Sequence, residues 1–167
     1  FGHAGGDFDY RMSLGYRSER GLDSTILNDQ SVTRVFNFRG NYRPAASDSL
    51  DVQWGSSDGV YGLGIEGRPE DAFRDTRAKS DFQLLSWLHV WPSGDETKLT
   101  LSRAGRSSQD PYICIDSEAC QGKVIGKTRA EGFTVRNVFT QRTELELQNT
   151  YRVNAHNRLV WGVDVRS

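Results

Sequence analysis

Ten residues near the start of the chain, FDYRMSLGYR (Phe8–Arg17), alternate without a break: Phe8, Tyr10, Met12, Leu14 and Tyr16 on one beat, Asp9, Arg11, Ser13, Gly15 and Arg17 on the other. Period two is the signature of a β-strand with one apolar and one polar face, because successive side chains of an extended backbone point to opposite sides. The pattern returns along the chain. Val32, Phe36, Phe38 and Tyr42 share a face in VTRVFNFRGNYR, with Arg34 as the one charged residue on that beat. Leu50, Val52 and Trp54 alternate with Asp51 and Gln53; Leu99 and Leu101 alternate with Lys98, Thr100 and Ser102. Leu145, Leu147 and Tyr151 oppose Glu144, Glu146, Gln148 and Thr150, and Leu159, Trp161, Val163 and Val165 oppose Val160, Gly162, Asp164 and Arg166. Only DFQLLSWLHVW is apolar on both beats, and periodicity does not assign its facing. The expectation is an all-β, antiparallel up-and-down meander of about seven strands. Its apolar face needs a second protein layer or membrane lipid.

The connections sort by length. PAASD after Arg43, PSGDE after Trp91 and NAHN after Val153 are short clusters of turn-forming residues. Between them lie connections of about a dozen residues from Ser18, about twenty from Asp58 and more than about thirty from Ala104. In a meander, this alternation puts the short turns at one end of the sheet and the long loops at the other. An outer-membrane barrel has that layout, with tight periplasmic turns and long extracellular loops. Tyr42, Trp91 and Tyr151 each stand just before a short turn. Amphipathic rings at such positions suit the lipid headgroup level.

The remaining features mostly exclude. A net charge of −1 over 167 residues gives no basic footprint for nucleic acid, and no apolar run approaches the roughly 20 residues of a membrane helix. Phe1 as first residue and the strand-like ending WGVDVRS suggest a segment of a longer protein. Cys114 and Cys120 lie close together in PYICIDSEACQGK, which suits a local disulfide in an oxidising compartment; two free loop thiols are the alternative. His3, His89 and His156 are too scattered to complete a zinc site with them.

The stretches GGDFDYRMSLGYRSERG, VFNFRGNYRPAASDSLDVQWGSSDG and RTELELQNTYRVNAHNRLVWGVDVR resemble the early barrel strands of TonB-dependent outer-membrane receptors. The resemblance spans most of the chain, and the hairpin ELELQNTYR…RLVWGVDVR is its most specific part. It implies a location in the outer membrane of a Gram-negative bacterium and a place in a larger barrel. The partners it implies are the receptor's own plug domain, the remaining barrel strands, outer-membrane lipid and the TonB complex, reached through an N-terminal part outside this sequence. The implied function is uptake of a scarce ligand such as a ferric siderophore. Phe8, Tyr10, Met12, Leu14 and Tyr16 would then face lipid, while Asp9, Arg11, Ser13 and Arg17 would line the lumen. In the long loops, Arg68, Arg74, Arg103 and Arg106 would attract an anionic ferric chelate, and Tyr61 and Tyr112 would stack on its aromatic groups.

Enzymatic chemistry has little support. Glu144 and Glu146 share a strand face, but TELELQ reads more simply as alternating polar residues. GLGIEG lacks the strand-to-helix context of a phosphate loop. RPEDAFRDTRAK (Arg68–Lys79), with Pro and acids first and bases last, is expected to form a short loop helix. No catalytic constellation and no cofactor site is expected. The alternative to a transporter segment is a soluble β-sandwich module that binds carbohydrate or protein.

Overall fold

The structure, a computed structural model, describes residues 1–22, 26–67, 71, 73–113 and 133–167. Its strands are β1 (Gly2–His3), β2 (Phe8–Glu19), β3 (Ser31–Ala45), β4 (Asp48–Leu63), β5 (Arg74–Val90), β6 (Glu96–Ile113), β7 (Phe133–Arg152) and β8 (Arg158–Arg166). They form one antiparallel sheet in sequence order, eight strands wide and open at both edges. The eighth strand beyond the seven expected is β1, whose Gly2 and His3 pair with Arg11 and Tyr10.

The register puts the alternating residues where period two requires. Met12 stands opposite Phe38 and Leu14 opposite Phe36; Phe38 faces Trp54 and Tyr42 faces Leu50. The same face continues through Leu85 and Trp87 on β5, Leu99 and Leu101 on β6, Leu145 and Leu147 on β7, and Val163 and Val165 on β8. Cross-strand partners share a side of the sheet, so these residues form one apolar face. Phe36 and Trp54 meet on it edge to face, with ring centroids 5.1 Å apart. The polar face carries Arg39 bonded to Asp51 through Nε and Nη2, Arg142 and Arg166 on Glu144, and the hydroxyl pairs Ser57–Ser80 and Ser86–Thr100.

The described residues place no second layer over either face. Among the described residues only Gly40, Gly55, Gly59 and Gly62 are buried, and no hydrophobic side chain is. Stable soluble domains bury a sheet face against another layer; the described residues supply none.

Two expectations about the connections change. The helix expected over RPEDAFRDTRAK is replaced by strand in its second half: Arg74–Lys79 belongs to β5, paired with Leu63 back to Asp58 on β4, and residues 68–70 and 72 lie outside the described residues. The cross-strand ladder outweighs the local Pro-then-acid signal, and it shortens the second long connection to residues 64–73. Likewise β6 runs on past Ala104 through Pro111 to Ile113, paired with β7 as far as Phe133. The sorting survives: connections 46–47, 91–95 and 153–157 are at one end, and 20–30, 64–73 and 114–132 at the other.

The turn after β5 is closed from both sides. Trp91 and Asp95 bond through the backbone, and Gly94 takes the positive φ of 82° that the reversal needs. The Asp95 carboxylate accepts from the Ser93 hydroxyl at 2.6 Å and from the Arg152 backbone N–H at 2.7 Å, tying the neighbouring hairpin to this one. Those bonds, the Ser93 hydroxyl first, hold the Asp95 carboxyl below its ordinary range. The folded value is depressed, so its contribution is complete above the ordinary carboxylate range and is lost as pH falls through the lowered value. The protection factor of the Arg152 amide is therefore expected to drop on acidification through that window. Asp95→Asn is expected to remove the pH dependence.

Candidate functional site

Strands β3–β7 are 15 to 20 residues long, well beyond the roughly 9–11 residues that cross a bilayer. The excess lies towards the long loops. Tyr16, Arg34, Asp58 and Lys79 form one hydrogen-bonded row across the apolar face, followed towards the short turns by Leu14, Phe36, Ser56 and Asp81. Next come Met12, Phe38, Trp54, Gln83 and Arg103, then Tyr10, Gly40, Val52, Leu85, Leu101 and Leu145.

The apolar band therefore has a sloping edge: Tyr16 on β2, Phe36 on β3, Trp54 on β4, then Leu85, Leu101 and Leu145. The edge falls by two residues per strand from β2 to β5 and is level from β5 to β7, on average about one residue per strand, which at ~3.3 Å per residue and ~4.8 Å between strands is a mean inclination of roughly 35–40°. Val32, Val60 and Phe139 stand on the same face above it. The short-turn end slopes the same way. Asp48 begins β4 level with His89, Thr97, Asn149 and Trp161, yet the β7–β8 hairpin continues past that row to Arg152 and Arg158. Tyr42, Trp91 and Tyr151, all exposed, lie at this lower end.

At the long-loop end the polar face carries a bonded cluster. Arg74 pairs with Asp110 on β6 at 2.7 Å and with Asp71 at 2.6 Å, its side chain only 18% exposed. Thr76 donates to the same Asp110 oxygen at 3.0 Å, and Asn28 donates to the Arg74 carbonyl at 3.1 Å. The first two long connections dock on each other here. Leu27 and Ile65 form an antiparallel bridge, and Asn28 and Glu66 donate to the carbonyls of Gly64 and Ile26. Gly62 permits the approach, since a Cβ there would lie 2.4 Å from Asn28 Oδ1. Asp110→Asn is expected to cost about 1 kcal/mol, a partly exposed charge-assisted bond being worth no more. Hydrogen exchange should localise the opening to residues 74–76 and 108–110.

The residues proposed from sequence divide. Tyr61 lies near this cluster, its hydroxyl 3.4 Å from Thr33 Oγ1, and Arg106 is exposed on the polar face in register with Ser80 and Thr140. Arg74 is there too, but its guanidinium is already held by two carboxylates. Arg103 is not with the others: it shares the apolar face's beat with Leu99 and Leu101 and bonds to Gln141 at 3.0 Å. That separation was readable in TKLTLSR, where Arg103 falls on the leucine beat. Tyr112 pairs with Thr134 in the backbone; its side chain, together with Arg68, Cys114 and Cys120, is outside the described residues. Asp110, Thr76 and Asn28 carried no sequence signal, because each acquires its role from a partner 34 to 46 residues away.

No protein-family model matches the chain, and no curated protein or solved structure is significantly similar to it.

Proposed function

We propose that this chain is a wall segment of an outer-membrane β-barrel of the TonB-dependent receptor type, with its apolar face towards lipid and its polar face towards the lumen. The observation that carries this reading is the inclined apolar band. Strands of membrane barrels tilt by about 35–45°, so a level hydrocarbon layer must cross their hydrogen-bonded rows at that angle. A sandwich core has no reason to stop halfway along long strands, as the band does between Leu101 and Arg103. The absence of any buried hydrophobic side chain among the described residues is the expected state of a lipid-facing wall.

On this reading the long connections lie at the cell surface. Tyr61, Arg106 and the Arg74–Asp110 cluster line the lumen's outer mouth, where a scarce ligand, a ferric siderophore, is gathered. The segment alone neither transports nor catalyses. Eight strands in an open sheet do not enclose a plug, since enclosed diameter grows with strand number. Transport belongs to the complete barrel, its plug and TonB.

All four tryptophans make the test direct, because Trp54, Trp87, Trp91 and Trp161 all belong to the apolar face or its lower edge. In the full-length protein reconstituted into vesicles, brominated-chain phosphatidylcholine is expected to quench single-Trp variants retaining Trp54 or Trp87, and to spare a tryptophan placed at Ser57 on the polar face. Quenching of Trp54 by aqueous iodide but not by brominated lipid would overturn the barrel reading in favour of a soluble module. Uptake of a labelled ferric chelate that depends on both this gene and TonB is the corresponding test of transport.

A further inference from the structure

Arg34 is the charged exception on the apolar beat of β3, and the structure shows where it stands. It follows Phe36 immediately above the sloping edge of the band, in the row of Tyr16 and Asp58. Leu14, Tyr16, Phe36, Ser56 and Asp58 line a shallow groove with it, about 370 Å³ in volume. Leu14 and Tyr16 are 79% and 67% exposed, so the groove's apolar wall is uncovered. Asp58, directly opposite Arg34, is paired with Lys79 at 3.2 Å. Arg34 itself is exposed and forms no ion pair among the described residues, which distinguishes it from Arg39, Arg74, Arg142 and Arg166.

We propose that Arg34 and this groove bind an anionic membrane lipid, the phosphate on the guanidinium and an acyl chain along Leu14 and Phe36. The proposal rests on the barrel reading, which puts the edge of the band at headgroup depth on the long-loop side. A guanidinium is suited to that position: it donates to phosphate oxygens in a fork, while its stem lies along apolar surface. Charge complementarity selects an anionic headgroup. With Lys79 on Asp58, the row of Arg34, Asp58 and Lys79 keeps a net positive charge; Asp81 one row below on β5 is offset by Arg103 just above the band on β6, so the positive balance stays at Arg34. A neutral side chain in place of Arg34 would leave the groove apolar but without selectivity for the headgroup.

The test is native mass spectrometry of the full-length protein in detergent, titrated with phosphatidylglycerol or with phosphatidylcholine of the same chains. Wild type is expected to retain phosphatidylglycerol in preference, and Arg34→Gln to lose about tenfold in that retention, the equivalent of about 1.4 kcal/mol. Arg34→Lys should keep most of the preference, and Arg39→Gln on the polar face should not change it. Equal retention of the two lipids by wild type, or unchanged preference in Arg34→Gln, would overturn the proposal. So would displacement of phosphatidylglycerol by millimolar inorganic phosphate, which would mark a site for a soluble anion. Brominated-lipid quenching of Trp54, measured in parallel, separates the two failures. If quenching persists without headgroup preference, the lipid site alone is wrong; if quenching is lost, the barrel reading falls with it.

Discussion

On the barrel reading, Leu99→Arg is expected to lower the stability of the membrane-inserted protein by about 2 kcal/mol, the cost of a cation on the lipid face inside the apolar band. Thr100→Arg, one residue away, is expected to stay within about 0.5 kcal/mol of wild type. The contrast comes from period two. Leu99 stands between Trp87 and Leu147 on the apolar face, whereas Thr100 stands between Ser86 and Glu146 on the polar one. An arginine at 100 keeps water on its side and gains a carboxylate directly opposite, while on the barrel reading one at 99 must displace lipid or drag water into it. Urea titration of protein folded into vesicles measures both. Equal costs at the two positions would show that the faces do not differ in solvent.

Gly55→Val is expected to be the most damaging small substitution on the polar face, costing about 1–3 kcal/mol, as over-packing does in closely packed proteins. Gly55 is one of the few buried residues, and its register partner Phe82 lays its ring across the glycine. A Cβ at 55 would lie 2.2 Å from one ring carbon and 2.9 Å from another, so the whole ring must leave. Phe82→Ala in the same background is expected to recover part of the loss, because it removes the clash that valine creates. A Gly55→Val variant as stable as wild type in the urea titration would mean that the ring does not occupy the polar side of this strand.

Much of the facing was legible because each apolar side chain alternates with a polar one, and a slip of one residue would invert a whole strand. Leu145, Leu147, Trp161 and Val163 occupy the face that their beat assigns, and the clusters after Trp91 and Val153 follow the ends of β5 and β7, whereas β3 runs through Pro44 to Ala45 before its turn at 46–47. The ion-paired cluster at the long-loop end was not legible. Arg74 read as part of a loop helix, and Asp110, just before Pro111, read as loop. Both are strand residues because β4–β5 and β6–β7 pair far beyond the apolar band, where apolar residues such as Val60 and Tyr61 or Val138 and Phe139 fall on both beats among polar ones and periodicity loses its contrast.

The sequence by itself determined that the chain is β throughout, that it has an apolar and a polar face, and that its short and long connections alternate. Alternation and turn chemistry act between near neighbours, so they are visible without a partner strand. Register belonged to the tertiary structure. It alone turned DFQLLSWLHVW so that Leu85 and Trp87 join the apolar face while Phe82 and Leu84 join the polar one. It also set the slope of the apolar band, because slope compares positions on strands whose hydrogen-bonding partners lie elsewhere in the chain.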